Sequence, residues 1–454
     1  MLEVIKLKNY FFIDNNINAT VFNQMKNKTV KKLWKSFTLG SGNIDFQVTD
    51  KYIFRIGTTE LPTLPRGSEF SLKVDSNGLC IVGENYGGLM RGFFSLLLKF
   101  EYEDTGIKIE HTEENGRYLI KNRMIHICVF PENELYYIKK LIRLSALCQY
   151  THIVIEFWGM LKYDCLKELS WPHAFTKHEA KEIIDECREL GIEPIPMANQ
   201  LGHASGSRAY YGKHVVLDQN PLLQNLFTPD GWAWNIRSDK TVKLLKQMRN
   251  ELYELFGDSE YIHIGCDEAF YINRSDDLRQ YLPEYLKKLT QEVENEGKRP
   301  MIWMDMLLEE GKFKNCYTTG KKDEVTALRN ATSASTIFVD WQYDSFDTPI
   351  PSLESLKNCG HDCIGAPWLD EKNYTAHINT IAQNEMFGIM LTTWHKLKYQ
   401  MCCIYGCARK FGAMEFVWVN NSGLSEITAT LLRRVSFEGN NYEQSGWSKK
   451  QIEV

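Results

Sequence analysis

No stretch of this 454-residue chain approaches the ~20 consecutive apolar residues that a membrane helix requires. Between Met1 and Asn18 there is no apolar run followed by small residues, so no secretory signal is expected. Positive charge is not in excess: 53 Lys and Arg stand against 58 Asp and Glu, a formal net charge of −5. That balance argues against a protein that holds nucleic acid by bulk charge, because phosphate binding needs a basic surface. Internal repeats and low-complexity segments are lacking. With 43% apolar and 24% charged residues, the composition excludes a disordered chain. The twelve cysteines contain no C-x-x-C pair, and most lie in apolar runs such as Ile125-His126-Ile127-Cys128. They read as buried free thiols of a reducing compartment, so a cytoplasmic protein is expected. Cys402, Cys403 and Cys407 are crowded, but no His stands at ligand spacing beside them. Neither a metal nor another cofactor is expected.

What is present falls into segments of different rhythm. Residues 68–74 alternate, with Phe70, Leu72 and Val74 against Glu69, Ser71 and Lys73. A turn at Asp75-Ser76-Asn77-Gly78 and the apolar run 79–82 complete a hairpin pattern. Residues 89–100 then carry a helical apolar face, and 101–117 are polar. From residue 123 onward, eight β-type runs appear: 123–129, 151–157, 192–197, 261–266, 300–305, 336–341, 362–367 and 387–394. Helical patterns separate most of them. Thr176-Lys177-His178-Glu179 is a capping box, and Gly191 ends the helix it opens. Residues 134–148 and 239–256 also show one apolar face each. Strand–helix alternation over ~280 residues is the pattern of an α/β chain closing into a (β/α)8 TIM barrel. The expected division is a small N-terminal α/β domain (1–118), the catalytic barrel (119–425), and a C-terminal helix and polar tail (426–454).

Function in such a barrel sits at the C-terminal strand ends. Four of the eleven Trp residues lie there: Trp303, Trp341, Trp368 and Trp394. Flat aromatic walls with a few polar groups suit a pyranose ring, whose C–H faces stack while its hydroxyls need directional partners. The fourth run ends in Asp267-Glu268, two carboxylates with no cation near them in sequence. Glycoside cleavage needs an acid for the leaving oxygen and an anion for the cationic transition state. A Trp wall would raise the pKa of one carboxyl and keep it protonated. Plainer readings stand beside these. An Asp-Glu pair after a strand is commonly a helix cap. His263, inside the run, fits a hydrogen-bonded core residue, and His203 after Gly202 fits either role. Arg123 has a structural alternative, pairing with Glu156 inside the barrel mouth.

His263-Ile264-Gly265-Cys266-Asp267-Glu268 resembles the H-x-G-G-D-E signature of the family 20 glycoside hydrolases, the β-N-acetylhexosaminidases. It is closer to the hexosaminidase D-like branch, where the second Gly is also Cys. Arg123, Asn199-x-x-Gly202-His203, Trp303-x-Asp305, Trp341, Leu369-Asp370 and Trp394 follow in the family's order, and residues 68–100 resemble the family's small α/β domain. The resemblance implies a retaining mechanism in which the substrate's own 2-acetamido oxygen attacks the anomeric carbon. On that reading Glu268 is the acid and then the base, and Asp267 orients the acetamido N–H and steadies the oxazolinium charge. Arg123 binds sugar hydroxyls, His203 supports Glu268, and Trp303, Trp341 and Trp394 wall the sugar. Asp305, Tyr343, Trp368 and Asp370 complete the expected substrate contacts.

The chain departs from the family pattern at three places. Trp368 stands where most members have a Tyr that holds the acetamido oxygen, and Tyr343 is the nearest substitute. Lys396 replaces the common acid two positions after the last Trp, which raises the reading of an anionic, for example sulfated, sugar; the plainer reading points it to solvent. Asn199 stands where many members carry Asp. The resulting expectation is an exo-acting β-N-acetylhexosaminidase releasing terminal GlcNAc or GalNAc. Its rivals are a glycosidase on another 2-acetamido sugar and a non-catalytic sugar-binding barrel. The expected partner is a carbohydrate, with neither nucleic acid nor membrane, and an oligomer is possible. Adjacent strand residues point to opposite faces, so Asp267 and Glu268 can share a pocket only if the strand has ended or twisted before them.

Overall fold

The computed structural model of the protein describes residues 10–13, 18–22, 27–40, 43–47, 51–104, 106–204, 216–394, 397–412 and 423–436. Eight parallel strands close into a barrel: Asn122–Cys128, His152–Glu156, Glu193–Met197, Tyr261–His263, Arg299–Trp303, Ile337–Asp340, Cys363–Gly365 and Gly388–Thr392. The last pairs with the first, Met390 opposite Met124, so the barrel leaves no strand edge. Side chains alternate along each strand. Met124, Val154, Ile195, Met301, Val339, Ile364 and Met390 fill the interior. Ile125, Ile127, Ile153 and Ile155 face the helices outside. Met197 and Trp303, at the C-terminal ends of their strands, belong to the inner set. They form the floor on which a site can rest.

The surrounding helices form where the sequence supplies both cap and stripe. Thr176 accepts from Glu179 N–H and Glu179 reaches back, which starts helix Lys177–Glu189 and buries Ile183, Ile184 and Cys187. Ser238 caps helix Asp239–Phe256, and Gly257 stops it. Helices Val325–Ala331 and Pro351–Leu356 span two turns or less, too short for a clear apolar period. The last described helix, Leu424–Val435, packs on Leu135–Leu147 and Leu397–Lys410. His395-Lys396 and the tail from 437 lie outside the described residues, so the reading given to Lys396 does as well.

Outside the barrel lies a six-stranded sheet, ordered Asn43–Gln47, Asn18–Phe22, Ile53–Gly57, Gly78–Gly83, Phe70–Asp75 and Thr112–Asn115. Helix Tyr86–Leu98 packs across it. Glu69, just before one strand, clamps this sheet to the barrel. Its two oxygens each accept from Arg123 at 2.9 Å, and Arg91 donates to Glu69 as well. Arg123 also donates to the carbonyls of Gln149, Ile120 and Lys121 and stacks on Tyr118 at 3.8 Å. This corrects the expectation for Arg123. It is the second residue of its strand, fully buried at the N-terminal face. At ~3.3 Å per residue the sugar-binding end is about 16 Å away, so it cannot reach a substrate there. Nor does it meet Glu156, which accepts from Asn199 at 2.7 Å and pairs with His126 at 3.0 Å.

Burial alone would raise the Glu69 pKa, but Arg123 and Arg91 overcome it and hold the carboxyl below its usual range. A depressed carboxylate stabilises the fold above its ordinary pKa of about 4.3, and the contribution drains away as pH falls below that. Arg123→Met leaves Glu69 and Arg91 with a broken buried network. A loss of about 3–5 kcal/mol is expected, read as a lowered Tm at pH 7 that shrinks toward pH 3.

Candidate active site

The fourth strand ends at His263, three residues earlier than its apolar run. Gly265, Cys266 and Glu268 then take φ of +66°, +76° and +48°. Left-handed backbone is cheap for glycine and costs the other two on the order of 1 kcal/mol or more each. The turn is held by its surroundings. Trp303 N–H donates to Gly265 O at 3.0 Å, and Gln200 N–H donates to Ile264 O at 3.0 Å. Glu268 N–H donates to Asp305 Oδ2 at 3.0 Å, and Trp232 Nε1 donates to Glu268 O at 2.7 Å. A Cβ on Gly265 would lie 2.1 Å from Asn199 Oδ1, and one on Gly202 would lie 1.8 Å from Asp267 O. Both glycines therefore let neighbouring strands close on this turn.

The turn cancels the strand alternation, and both carboxylates face one cavity. It measures about 140 Å³ and is lined by His203, Asp267, Glu268, Trp303, Trp341, Tyr343 and Trp394. That volume is below the ~300 Å³ of a drug-sized pocket and suits a single ring. His203 Nε2 lies 3.1 Å from Asp267 Oδ2 and 3.3 Å from Glu268 Oε2. The His203 ring is packed by Trp232 at 4.7 Å and met edge-on by Trp158 at 5.6 Å. Glu268 is the more open acid, with 24% of its side chain exposed against 7% for Asp267. Asp267 Oδ1, Trp303 Nε1 and Trp341 Nε1 are buried without a protein partner among the described residues. They present one acceptor and two donors to a polar ligand. Trp394 Nε1 donates to the Tyr343 hydroxyl at 3.0 Å, so these two rings form one wall.

Burial keeps the neighbouring groups neutral. It pushes His263 down to about 3, with His126 adding to the effect, and His263 Nδ1 accepts from Gly265 N–H at 3.1 Å. It raises the Tyr343 phenol. Burial first, and then Asp267, pushes Asp305 up to about 8. Asp305 is 1% exposed and outside the cavity wall. Its Oδ2 accepts from Glu268 N–H and from the Thr319 hydroxyl at 3.1 Å. It therefore supports the turn from below rather than touching a ligand. Two further placements correct the sequence reading. Trp368 stands behind Tyr343, ring centroids 5.2 Å apart, with its indole donating to Gln400. Asp370 is exposed and caps helix Glu371–Gln383 by accepting from Lys372 N–H at 2.7 Å. A carboxylate at a helix start is held there by the unpaired N–H groups of the first turn.

Sequence reasoning missed Trp158, Trp232 and Tyr317. The signal for Trp232 is the aromatic pair in Gly231-Trp232-Ala233-Trp234, far from any strand end. Among the described residues no group of three His, Cys, Asp or Glu is placed to hold a metal ion. Carbohydrate chemistry is what this arrangement can do: an open acid, a buried acceptor beside it, and an aromatic cup around one ring.

Residues 158–399, more than half of the chain, match "Glycosyl hydrolase family 20, catalytic domain". A stretch of 133 residues is 28% identical to hexosaminidase D of Bos taurus, covering 29% of this chain and 36% of that protein. The chain thus spans about a third of the length of the curated relatives it matches. The structure of the Flavobacterium johnsoniae chitobiase aligns at a TM-score of 0.70 with 14% identity, covering 94% of this chain and 70% of that one. The β-N-acetylhexosaminidase of Streptomyces coelicolor aligns at 0.66 with 14% identity, covering 97% and 96%. At those identities the two structures share the fold.

Gly265→Ala should cost about 1–3 kcal/mol of stability, read as a lowered Tm, because the new methyl meets Asn199 while the backbone is strained. Asp305 binds its proton more tightly folded than unfolded, so stability falls as pH rises from about 4 to about 8. Asp305→Asn removes that titration. Melting curves between pH 5 and pH 8 should fall less steeply for this variant than for the unaltered protein.

Proposed function

The chain belongs to glycosyl hydrolase family 20, and on that premise we propose that it is an exo-acting, retaining β-N-acetylhexosaminidase that removes terminal β-linked GlcNAc or GalNAc. The observation that carries this reading is the shared cavity of Asp267 and Glu268. One ring fills it, which favours cleavage of end sugars over internal ones. The terminal sugar lies against Trp303, Trp341 and Trp394, with its 2-acetamido group toward Asp267. Asp267 accepts the amide N–H and leaves the amide oxygen free to attack the anomeric carbon. Tethering that nucleophile to the substrate gains a large effective concentration. Glu268 gives its proton to the glycosidic oxygen as the C–O bond breaks, and an oxazolinium ion forms. Asp267 balances the positive charge. Glu268, now a carboxylate open to solvent, takes a proton from water as the water adds to the anomeric carbon. His203, within reach of both acids, keeps them apart and oriented.

All twelve cysteines are free thiols, most of them buried, which supports a cytoplasmic setting. No helix among the described residues is long and apolar enough to cross a membrane.

Release of 4-nitrophenol from the β-GlcNAc and β-GalNAc glycosides tests the activity. The first-formed sugar should be the β-anomer by NMR; an α-anomer would exclude the double displacement. Glu268→Gln should cut kcat about 10²–10⁴-fold with the fold intact, because only the acid proton is lost. Asp267→Asn should slow turnover too, and neutral effects at both positions would reject the assignment.

A further inference from the structure

The loop after the fifth strand carries an aromatic ring that no step above uses. Tyr317 is 43% exposed, yet its backbone is fixed on both sides. Gln342 Oε1 accepts its N–H at 2.6 Å, and Gln342 Nε2 donates to its carbonyl at 3.2 Å. The same Gln342 amide donates to Asp340 Oδ1 at 2.7 Å, and the Ser352 hydroxyl donates to Asp340 Oδ2 at 2.6 Å. Gln342 and Asp340 are buried at the end of the sixth strand. An exposed ring on so rigid a mount loses little entropy when something stacks on it.

Its position says what would stack. The Tyr317 ring lies 5.1 Å from Trp341, tilted 34°, and so extends the cavity wall outward. Its phenol lies near enough to Glu268 for that carboxyl to help push the phenol pKa up. An acid that protonates a glycosidic oxygen stands at the border between the sugar that stays and the group that leaves. A ring that packs on Trp341 beside this acid and prolongs the wall beyond the cavity lies on the leaving side.

We propose that Tyr317 is the leaving-group platform, stacking the first ring of the departing group, a pyranose or an aryl ring, while its hydroxyl steadies the Glu268 carboxyl beside the glycosidic oxygen. This rests on the hexosaminidase reading above. Burial first, and then Glu268, pushes the phenol up to about 12, so it keeps its proton to donate across the neutral range. The free sugar fills only the cavity, whereas an aryl glycoside reaches past it. The two ligands therefore separate a platform from a general defect.

The test compares the unaltered protein with Tyr317→Ala and Tyr317→Phe on the 4-nitrophenyl glycoside it hydrolyses, with the matching free sugar as competitive inhibitor. Tyr317→Ala should raise KM about 2- to 12-fold, the range of a lost ring stack, and leave the inhibition constant of the free sugar within about twofold. Tyr317→Phe should restore KM and still lower kcat, because the ring returns without the hydroxyl. An unchanged KM in Tyr317→Ala, or equal rises in KM and in the inhibition constant, would overturn the platform. Absence of turnover in the unaltered protein would instead overturn the hexosaminidase reading itself.

Discussion

The site depends on one backbone event. Between His263 and Glu268 the chain leaves its strand and passes through three left-handed residues. A regular strand would send Asp267 into the barrel and Glu268 away from it, or the reverse. The turn is strained at Cys266 and Glu268, and such strain persists only where the surroundings over-determine it. Here they do: Asp305, Trp303, Gln200 and Trp232 each hold a backbone atom of the segment. The third and fifth strands, the loops that follow them and the 232 loop thus share the work of aiming two acids.

A second constraint is electrostatic. Beneath and beside the carboxylates, burial keeps His263, Tyr343 and Asp305 without charge at neutral pH. The low polarity around the cavity strengthens each electrostatic interaction inside it. The large ion pairs lie elsewhere. Arg123, Arg91 and Glu69 sit at the opposite face, where they join the outer sheet to the barrel. Stability chemistry at one end and site chemistry at the other is the usual division of such barrels.

Much of this was legible in the residues, because barrel strands are apolar runs and helices announce themselves by caps. All eight runs overlap observed strands, and the Thr176 box starts a helix as read. The misplacements have physical causes. The family resemblance alone puts Arg123 on the sugar, but it stands at the start of its strand, and only residues at the far end reach the mouth. Asp370 shares its motif with a neighbouring Trp, yet helix-start N–H groups claim its carboxylate. Trp368 lies at a strand end but behind Tyr343, a question of which way a ring turns. Nothing in periodicity reveals that the fourth strand stops at His263, since left-handed turns at Cys and Glu carry no local signal. Tyr317 depends on Gln342, 25 residues away, so its placement appears only in three dimensions.

Whether the bound amide oxygen attacks the anomeric carbon is read most directly from a substrate series. The glycosides would share one aryl leaving group and carry acetyl, fluoroacetyl, difluoroacetyl or trifluoroacetyl on the 2-amino nitrogen. Each fluorine withdraws electron density from the attacking oxygen without altering the bond that breaks. A steep, continuous fall of kcat/KM along the series is expected if Asp267 and Glu268 work on one sugar as described. A flat series would mean that another nucleophile does the work, and would contradict the shared-cavity mechanism.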